Sequence, residues 1–239
     1  EVTTAYLQLK HAPATDSLHV FLDQEALLAP YVRKLVDALA VNFNIRSTKN
    51  NRERAYERRS DSDRLEIARL ERRQLVLALD STMPIEEKAQ AYLDLINLCL
   101  PYADALNMGD LYAAYASLLP RLGKRELMPT YLDRGVEAAV RDGDLALACQ
   151  LLGTLGVFYS SEKDYERMQA SWNRGLHLAR QAQSWHEARI LSFYSTYYDN
   201  QGRLVLSREM LREAQDRARA LNALEVETRF FMQGLEFFF

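Results

Sequence analysis

Residues suited to catalysis or metal binding are few and scattered in this 239-residue chain. The histidines are His11, His19, His177 and His186, and no two of them have the spacing that lets one helix hold a metal ion. None lies beside a serine or cysteine in a nucleophile motif, and no glycine-rich phosphate loop follows a strand. We therefore expect a protein that is not an enzyme and that binds neither a metal nor a cofactor.

The two cysteines, Cys99 and Cys149, both lie in apolar helical patterns, and their spacing fits no metal-binding motif. We expect two buried, reduced thiols, which are typical of cytoplasmic proteins. The chain contains no apolar run long enough to span a membrane. These features predict a cytoplasmic protein without a membrane span.

Charge is distributed unevenly along the chain. Ten basic and six acidic residues lie from Arg46 to Arg73, which gives this segment a net charge of +4. Because the whole chain has a net charge of −3, the rest of the chain carries −7. One interpretation is a basic patch for nucleic acid or for an acidic partner. The other, which we favour, is a long solvated helix with alternating charges. Tyr56 is the single aromatic residue of this segment, which disfavours stacking on a nucleic acid strand.

The sequence contains a repeat with a period of 39 or 40 residues. Small residues recur at Ala116, Gly156, Ser195 and Gly234, at steps of 40, 39 and 39 residues. The same period relates a series of large residues, a series of turn residues and a second series of small residues. These are Leu119, Tyr159, Tyr198 and Phe237; Gly123, Lys163 and Gly202; and Gly135, Gly175 and Ala214. A fixed period of this length is typical of solenoids.

The residue types of the repeat have a packing explanation. Gly156 and Gly175 allow two helix axes to approach closely, and Leu155, Tyr159 and Trp172 supply the bulk around them. Glycine inside a helix costs about 1 kcal/mol relative to alanine, so repeated interior glycines indicate a packing requirement. A single helix pair cannot bury its apolar face, whereas stacked pairs can.

The pattern Leu155-Gly156, Tyr159, Tyr165, Trp172 and Gly175-Leu176 resembles the tetratricopeptide repeat. The resemblance is good over 148–180, fair over 109–140 and 187–218, and partial over 226–239. The period exceeds the roughly 34 residues of that family, which suggests longer helices, as in its bacterial sensor-type relatives. The resemblance implies an all-α fold, a right-handed α-α superhelix in which antiparallel helix pairs form a solenoid of about 39–40 residues per repeat.

We predict two domains. Residues 1–60 form an irregular helical N-terminal segment with a polar linker near 42–51, and residues 61–239 form the repeat domain. In a degenerate first pair, one helix ends near Asp80 and a second begins at Met83-Pro84 and ends near Pro101. The buried stripe of the first helix is predicted to be Leu65, Ile67, Leu70, Leu75, Leu77 and Leu79.

The repeats predict further helices near 109–122, 127–141, 145–160, 164–182, 186–200, 204–220 and 224–239. The segment Asp142-Gly143-Asp144 is a stop and restart signal between two of them. The chain ends in three phenylalanines, which an intact domain does not usually expose. We therefore expect the array to continue beyond residue 239, or its end to pack against a partner or a second copy.

In the family that the chain resembles, the first helix of each pair lines a concave groove. Carrying its groove positions over gives Asp110, Ala113, Ser117 and Arg121; Gln150, Gly153, Val157 and Ser160; Arg189, Ser192, Thr196 and Asp199; and Thr228, Phe231 and Leu235. The family's clamp for a peptide's terminal carboxylate needs lysine and asparagine at positions held here by Ala113, Gly153, Ser192 and Thr196. This departure argues against a receptor of that kind.

An aromatic cluster lies in the same region. Tyr194 and Tyr198 match core registers, so packing explains them. Phe193 and Tyr197 do not, and we expect them to reach the groove or the neighbouring repeat.

Two functions from different classes follow from this architecture. We favour a non-catalytic module that binds a protein or peptide through the groove. The alternative is a ligand- or peptide-sensing domain of a bacterial signalling or transcription-regulating protein whose output domain lies outside this segment. A homodimer through the N-terminal helices or the C-terminal end fits either function, and the net charge of −3 disfavours a nucleic acid partner.

Overall fold

The computed structural model describes residues 51–220, which form nine α-helices and no strand. The helices are α1 Asn51–Glu57, α2 Asp61–Leu79, α3 Ile85–Cys99, α4 Met108–Leu118, α5 Met128–Asp142, α6 Leu145–Ser161, α7 Tyr165–Ala182, α8 His186–Asn200 and α9 Leu204–Ala220. Short 3₁₀ turns follow α3 and α4 and precede α5. The all-α prediction is confirmed, and the predicted helix bounds between 109 and 220 agree with the structure to within a few residues.

Helices that are neighbours in sequence are neighbours in space. The most extensive contacts join α4 with α5, α6 with α7, and α8 with α9, and each helix of a pair also contacts the next pair. Alternate helices touch as well, α4 with α6 and α6 with α8. Short turns of three residues join α6 with α7 and α8 with α9, so the helices of these pairs run antiparallel. The core lies between successive pairs, and Trp172, Leu155, Ile190 and Leu191 are among its fully buried side chains.

The turns between paired helices confirm the predicted turn register. Gly123, Lys163 and Gly202 all have left-handed backbone conformations, with φ of 68°, 61° and 70°. This conformation reverses the chain after a helix and is least costly for glycine. The stop and restart signal is also confirmed, because Gly143 ends α5 with φ of 81° and the Asp144 side chain accepts a hydrogen bond from the backbone N–H of Leu147.

The interior glycines lie where neighbouring helices come closest, as the sequence predicts. A Cβ atom added to Gly156 would lie 2.0 Å from Trp172 Nε1, and one added to Gly175 would lie 2.7 Å from Ile190 Cδ1. Trp172 Nε1 donates a hydrogen bond of 3.1 Å to the carbonyl of Gly153. The indole ring therefore occupies the space that a side chain at Gly156 would need.

Two predictions about the first helices are wrong. On α2, Ile67, Leu70 and Leu77 are buried, whereas the other half of the predicted stripe, Leu65, Leu75 and Leu79, is exposed. The residues 65–79 contain leucines on two faces of the helix, and only one face packs against neighbouring helices. In the described part of the charged segment, residues 51–73, the predicted single long helix is replaced by two helices, α1 and α2.

The break between α1 and α2 lies at Ser60. The Ser60 backbone is extended, and its hydroxyl accepts a hydrogen bond of 3.1 Å from the backbone N–H of Asp63, which caps α2. Such a cap satisfies one of the donors that a new helix start leaves unpaired. The N-terminal segment before residue 51, the helix predicted near 224–239 and the register positions Gly234 and Phe237 lie outside the described residues.

We predict that Gly156→Ala lowers the free energy of unfolding by about 1–3 kcal/mol, because the added methyl overpacks the contact with Trp172. Helix propensity alone predicts the opposite sign, a gain of about 1 kcal/mol. Urea denaturation measures the difference. Gly153→Ala is the control and should destabilise the protein less. Its Cβ would lie 3.2 Å from the ring of Phe193, so the neighbouring atoms need to move less than at Gly156. Stabilisation by Gly156→Ala would contradict the packing explanation.

Candidate binding face on helices α6 and α8

The predicted groove residues lie on three alternate helices of the described chain. Asp110 and Ser117 are on α4, and Arg121 is in the 3₁₀ turn after it. Helix α6 carries Gln150, Val157 and Ser160, and α8 carries Arg189, Ser192, Phe193, Thr196 and Asp199. Asp110, Ser117, Arg121, Gln150, Val157 and Thr196 are exposed, and Ser160, Arg189, Phe193 and Asp199 are partly buried. Ser192 is buried, and Thr228, Phe231 and Leu235 lie outside the described residues.

Helices α6 and α8 meet at Gly153. The nearest atoms to a Cβ at this position would be Phe193 Cε2 at 3.2 Å and Ile190 Cγ1 at 3.7 Å. The Phe193 ring therefore lies against α6 at a point where α6 has no side chain. This contact brings the groove positions of α6 and α8 together, and we call Gln150, Gly153, Val157, Arg189, Phe193 and Thr196, with Trp185 at the start of α8, the α6–α8 face.

A ridge of side chains four residues apart runs along α8 on this face. It consists of Trp185, Arg189, Phe193 and Tyr197, and residues at this spacing lie one above the other on a helix. The Arg189 guanidinium carbon is 5.9 Å from the centre of the Trp185 ring and 5.6 Å from that of Phe193, within cation–π range of both. Arg189 therefore lies between two aromatic rings.

Buried aromatic contacts hold this ridge in place. Trp172 of α7 stacks on Phe193 with a centroid distance of 5.9 Å and meets Tyr197 at 6.4 Å. Tyr194, which is buried, packs edge-on against Trp172 at 4.8 Å and donates a hydrogen bond of 2.8 Å to Asn173 Oδ1. The expectation that Phe193 and Tyr197 reach the groove or the neighbouring repeat is confirmed for the neighbouring repeat, since both contact Trp172 of α7.

Three hydroxyl groups at predicted groove positions bond to their own helices. Ser117 Oγ donates to the carbonyl of Ala114 at 2.7 Å, Ser192 Oγ to Arg189 at 2.7 Å and Thr196 Oγ1 to Ser192 at 3.1 Å. Serine and threonine in helices commonly make this bond. These side chains therefore contribute less polar surface to a partner than their residue types indicate.

Two acidic residues lie near each other, Asp110 at the beginning of α4 and Asp144 at the beginning of α6. Burial raises the pKa of Asp110 above its usual range, the nearby Asp144 raises it further, and Arg52 of α1 opposes both. The Asp110 residue is exposed, but the protein atoms around its carboxyl group reduce the hydration of that group. Asn107 caps α4 by accepting a hydrogen bond from the backbone N–H of Asp110 at 3.1 Å.

A polar cluster around the buried Glu187 at the start of α8 was not predicted from the sequence. Arg180 Nε of α7 donates to Glu187 Oε1 at 2.7 Å, and Arg217 Nε of α9 lies 3.4 Å from the same oxygen. Arg180 also contacts Glu213 Oε1 at 3.4 Å. Glu187 is only 5% exposed, so this carboxylate joins three helices beneath the surface. Helical periodicity carries no signal for such a contact, because the partners come from different helices.

His186 lies next to Glu187 and is buried as well. Its ring stacks on Trp185 at a centroid distance of 4.1 Å, and its Nδ1 has no hydrogen-bond partner in the structure. Burial, assisted by the positive charge of Arg189, lowers the pKa of His186 to about 4. The imidazole is therefore neutral at physiological pH.

The described residues do not assemble a recognisable reactive centre. Burial raises the pKa of the Cys99 thiol to about 11 and that of the Cys149 thiol to about 12, so both are protonated and unreactive at neutral pH. Among residues 51–220 there is no cluster of three histidine, cysteine, aspartate or glutamate residues that could hold a metal ion. Within the same range, every helix is too short or too polar to cross a bilayer. No protein-family model and no curated protein matches the chain.

We predict that Glu187→Gln lowers the free energy of unfolding by about 1–3 kcal/mol. The variant keeps the size of the side chain but removes the charge between Arg180 and Arg217, and breaking a buried ion pair is costly. The expected value is below the fully buried limit because both arginines are about half exposed. Glu213→Gln, at a more exposed contact, is the control and should cost less than about 1 kcal/mol. Equal effects in denaturant titrations would contradict a special role for Glu187.

We also predict that His186 makes the protein less stable in acid. Between about pH 6.5, the ordinary pKa of histidine, and about pH 4, the unfolded chain binds a proton that the folded chain does not. Stability is therefore lost as pH falls through this window, by up to about 3 kcal/mol from this group. The free energy of unfolding of the wild type minus that of His186→Gln, measured in urea, should be smaller at pH 4 than at pH 7 by about this amount. A constant difference would contradict the assignment, and the exposed His177→Gln serves as control.

Proposed function

We propose that this chain is a non-catalytic helical-repeat module that binds a segment of another protein through the α6–α8 face. The observation that supports it best is that this face has partly exposed apolar side chains that pack against buried aromatic residues. Val157 is 44% exposed and Trp185 is 38% exposed, and Phe193 between the two helices rests on the buried ring of Trp172. Large apolar side chains that stay accessible on a rigid surface are typical of protein-binding sites.

The proposed architecture is the right-handed superhelix of antiparallel pairs that the tetratricopeptide resemblance implies. It is supported by the repeated left-handed turns and by the contacts between alternate helices, α4 with α6 and α6 with α8. In such an array the first helix of each pair lines a continuous surface, along which an extended segment contacts several pairs. We further propose a cytoplasmic location, which two buried free thiols support.

The proposal predicts that peptides selected by this protein depend on Val157. Peptides recovered from a random display library with the wild-type chain should bind Val157→Lys at least about tenfold more weakly, because a cation would be placed against an apolar contact. Val205→Lys is a matched control, since Val205 is 72% exposed at the beginning of α9. Its affinities should stay within about twofold of the wild type, as expected for a residue outside the site.

Binding would be measured by fluorescence polarisation, with circular dichroism to verify that each variant is folded. Failure to recover any peptide, or equal losses in Val157→Lys and Val205→Lys, would overturn the proposed site.

A further inference from the structure

We propose that residues 183–186, which join α7 to α8, are an acid-sensitive switch that opens locally when the His186 ring takes up a proton. In the open state the rings of His186 and Trp185 leave their places in the turn, while α6, α7, α9 and the remainder of α8 stay folded. This property goes beyond the proposed function and does not depend on it. Three features support it: the surroundings of His186, the charges nearby and the backbone of the turn.

The surroundings of His186 suit a neutral imidazole and no other form. The residue is only 5% exposed, and its buried Nδ1 has no hydrogen-bond partner. A protonated imidazole donates from both ring nitrogens and also carries a charge. A buried charge without an acceptor is far more costly than a buried neutral group without one. Protonation therefore favours an arrangement in which the ring reaches water.

The charges around His186 add to this cost. His186 is the first residue of α8, and the positive end of the helix dipole disfavours a cation there. Burial, and to a smaller extent the charge of Arg189, lowers the pKa of His186. Helix α6, which packs against α8, contains no charged residue. The other charged groups around the start of α8 are two cations and two anions that pair with one another: Arg180, Arg217, Glu187 and Glu213.

The backbone of the turn is held by weak contacts. Gln183 has a left-handed conformation with φ of 49°, whereas glycine occupies the equivalent turn after α5, at Gly143. This conformation is more costly for a residue with a Cβ atom. The Ser184 hydroxyl accepts a hydrogen bond from the backbone N–H of His186 at 3.3 Å, which is longer than the aspartate caps of α6 and α7, at 3.0 and 3.1 Å.

Stronger contacts limit the opening to this segment. Arg180 Nε, before the turn, donates to Glu187 Oε1, after it, at 2.7 Å, so the ends of the segment stay together when its middle moves. Trp185 is 38% exposed and stacks on His186 at a centroid distance of 4.1 Å. Both rings can therefore move into solvent together. Because Trp185 belongs to the α6–α8 face, opening also removes an apolar side chain from that face.

Proton linkage gives the size of the effect. The pKa of His186 is lowered from 6.5 to about 4 in the closed turn, and in the open turn the ring regains its ordinary pKa. Between these values the open state binds a proton that the closed state does not. The equilibrium constant for opening should therefore rise about tenfold for each unit by which pH falls, and about 300-fold in total.

Hydrogen exchange of the full chain, followed residue by residue with NMR, measures this constant. The reporters are the backbone amides of His186, Glu187 and Arg189, which donate hydrogen bonds within the turn. After correction for the intrinsic effect of pH, we expect their opening constants to rise about 300-fold between pH 6.5 and 4. Low concentrations of urea should not change them, because local opening exposes little surface. Amides at the centres of α6 and α7 should open at least about 100-fold less often and respond to urea.

Variants of the histidine test its role. His186→Gln does not titrate, so its opening constant should change by less than about threefold over the same pH range. His186→Lys carries a charge at neutral pH and should open at pH 7 about as often as the wild type does at pH 4. His177→Gln, at an exposed position of α7, is the matched control and should keep the full acid response.

Gln183→Gly tests the contribution of the backbone. Glycine adopts the left-handed conformation at a lower cost, so this variant should open about fivefold less often at each pH. Circular dichroism establishes that each variant is folded. If His186→Lys does not fold, the comparison of the wild type with His186→Gln still decides the outcome.

Two results would overturn the switch. The first is exchange at the three reporter amides that does not accelerate in acid, or that accelerates equally in His186→Gln. The second is acceleration that depends on urea as strongly as exchange at the centres of α6 and α7, because acid would then unfold the whole chain and not the turn alone.

Discussion

The contact between Trp172 and the backbone of α6 determines how the last two helix pairs of the described chain fit together. The indole ring fills the space beside Gly156, and its N–H bonds to the carbonyl of Gly153. The same ring touches Phe193 and Tyr194 of α8. One side chain of α7 thus fixes the distance between α6 and α8, and the candidate binding face exists only because these helices are held at that distance. Overpacked or underfilled cores lose this precision before they lose the fold.

The sequence predicts the helices and their turns well because both follow from local rules. The left-handed turn positions at Gly123 and Gly202 are read from residue type, and Lys163 follows from the period even though its type does not favour that conformation. The contact of Gly156 with Trp172 was also predictable, since a glycine inside a helix needs a close neighbour. The period of the sequence therefore predicts most of the helices and turns between residues 108 and 220.

Other features could not be predicted because they depend on which helix faces which. Leu65 and Leu75 of α2 have the same residue type as the buried Leu70, and only the positions of the neighbouring helices decide that they are exposed. The ion pair of Glu187 with Arg217 spans two helices and follows no helical spacing. Ser192 was predicted to line the groove from its register, yet it is buried and bonds to its own helix. The tertiary arrangement, which no local pattern contains, decides each of these cases.

Helix α8 differs from α6, the equivalent helix of the preceding repeat, in a buried charged residue near its start. Glu187 stands 39 residues after Ala148, a buried apolar residue at the equivalent point of α6. A buried carboxylate with two arginines adds little net stability compared with an apolar residue, but it is costly to misalign. It therefore fixes the start of α8 against α7 and α9, directly beneath the turn that carries Trp185 and Arg189.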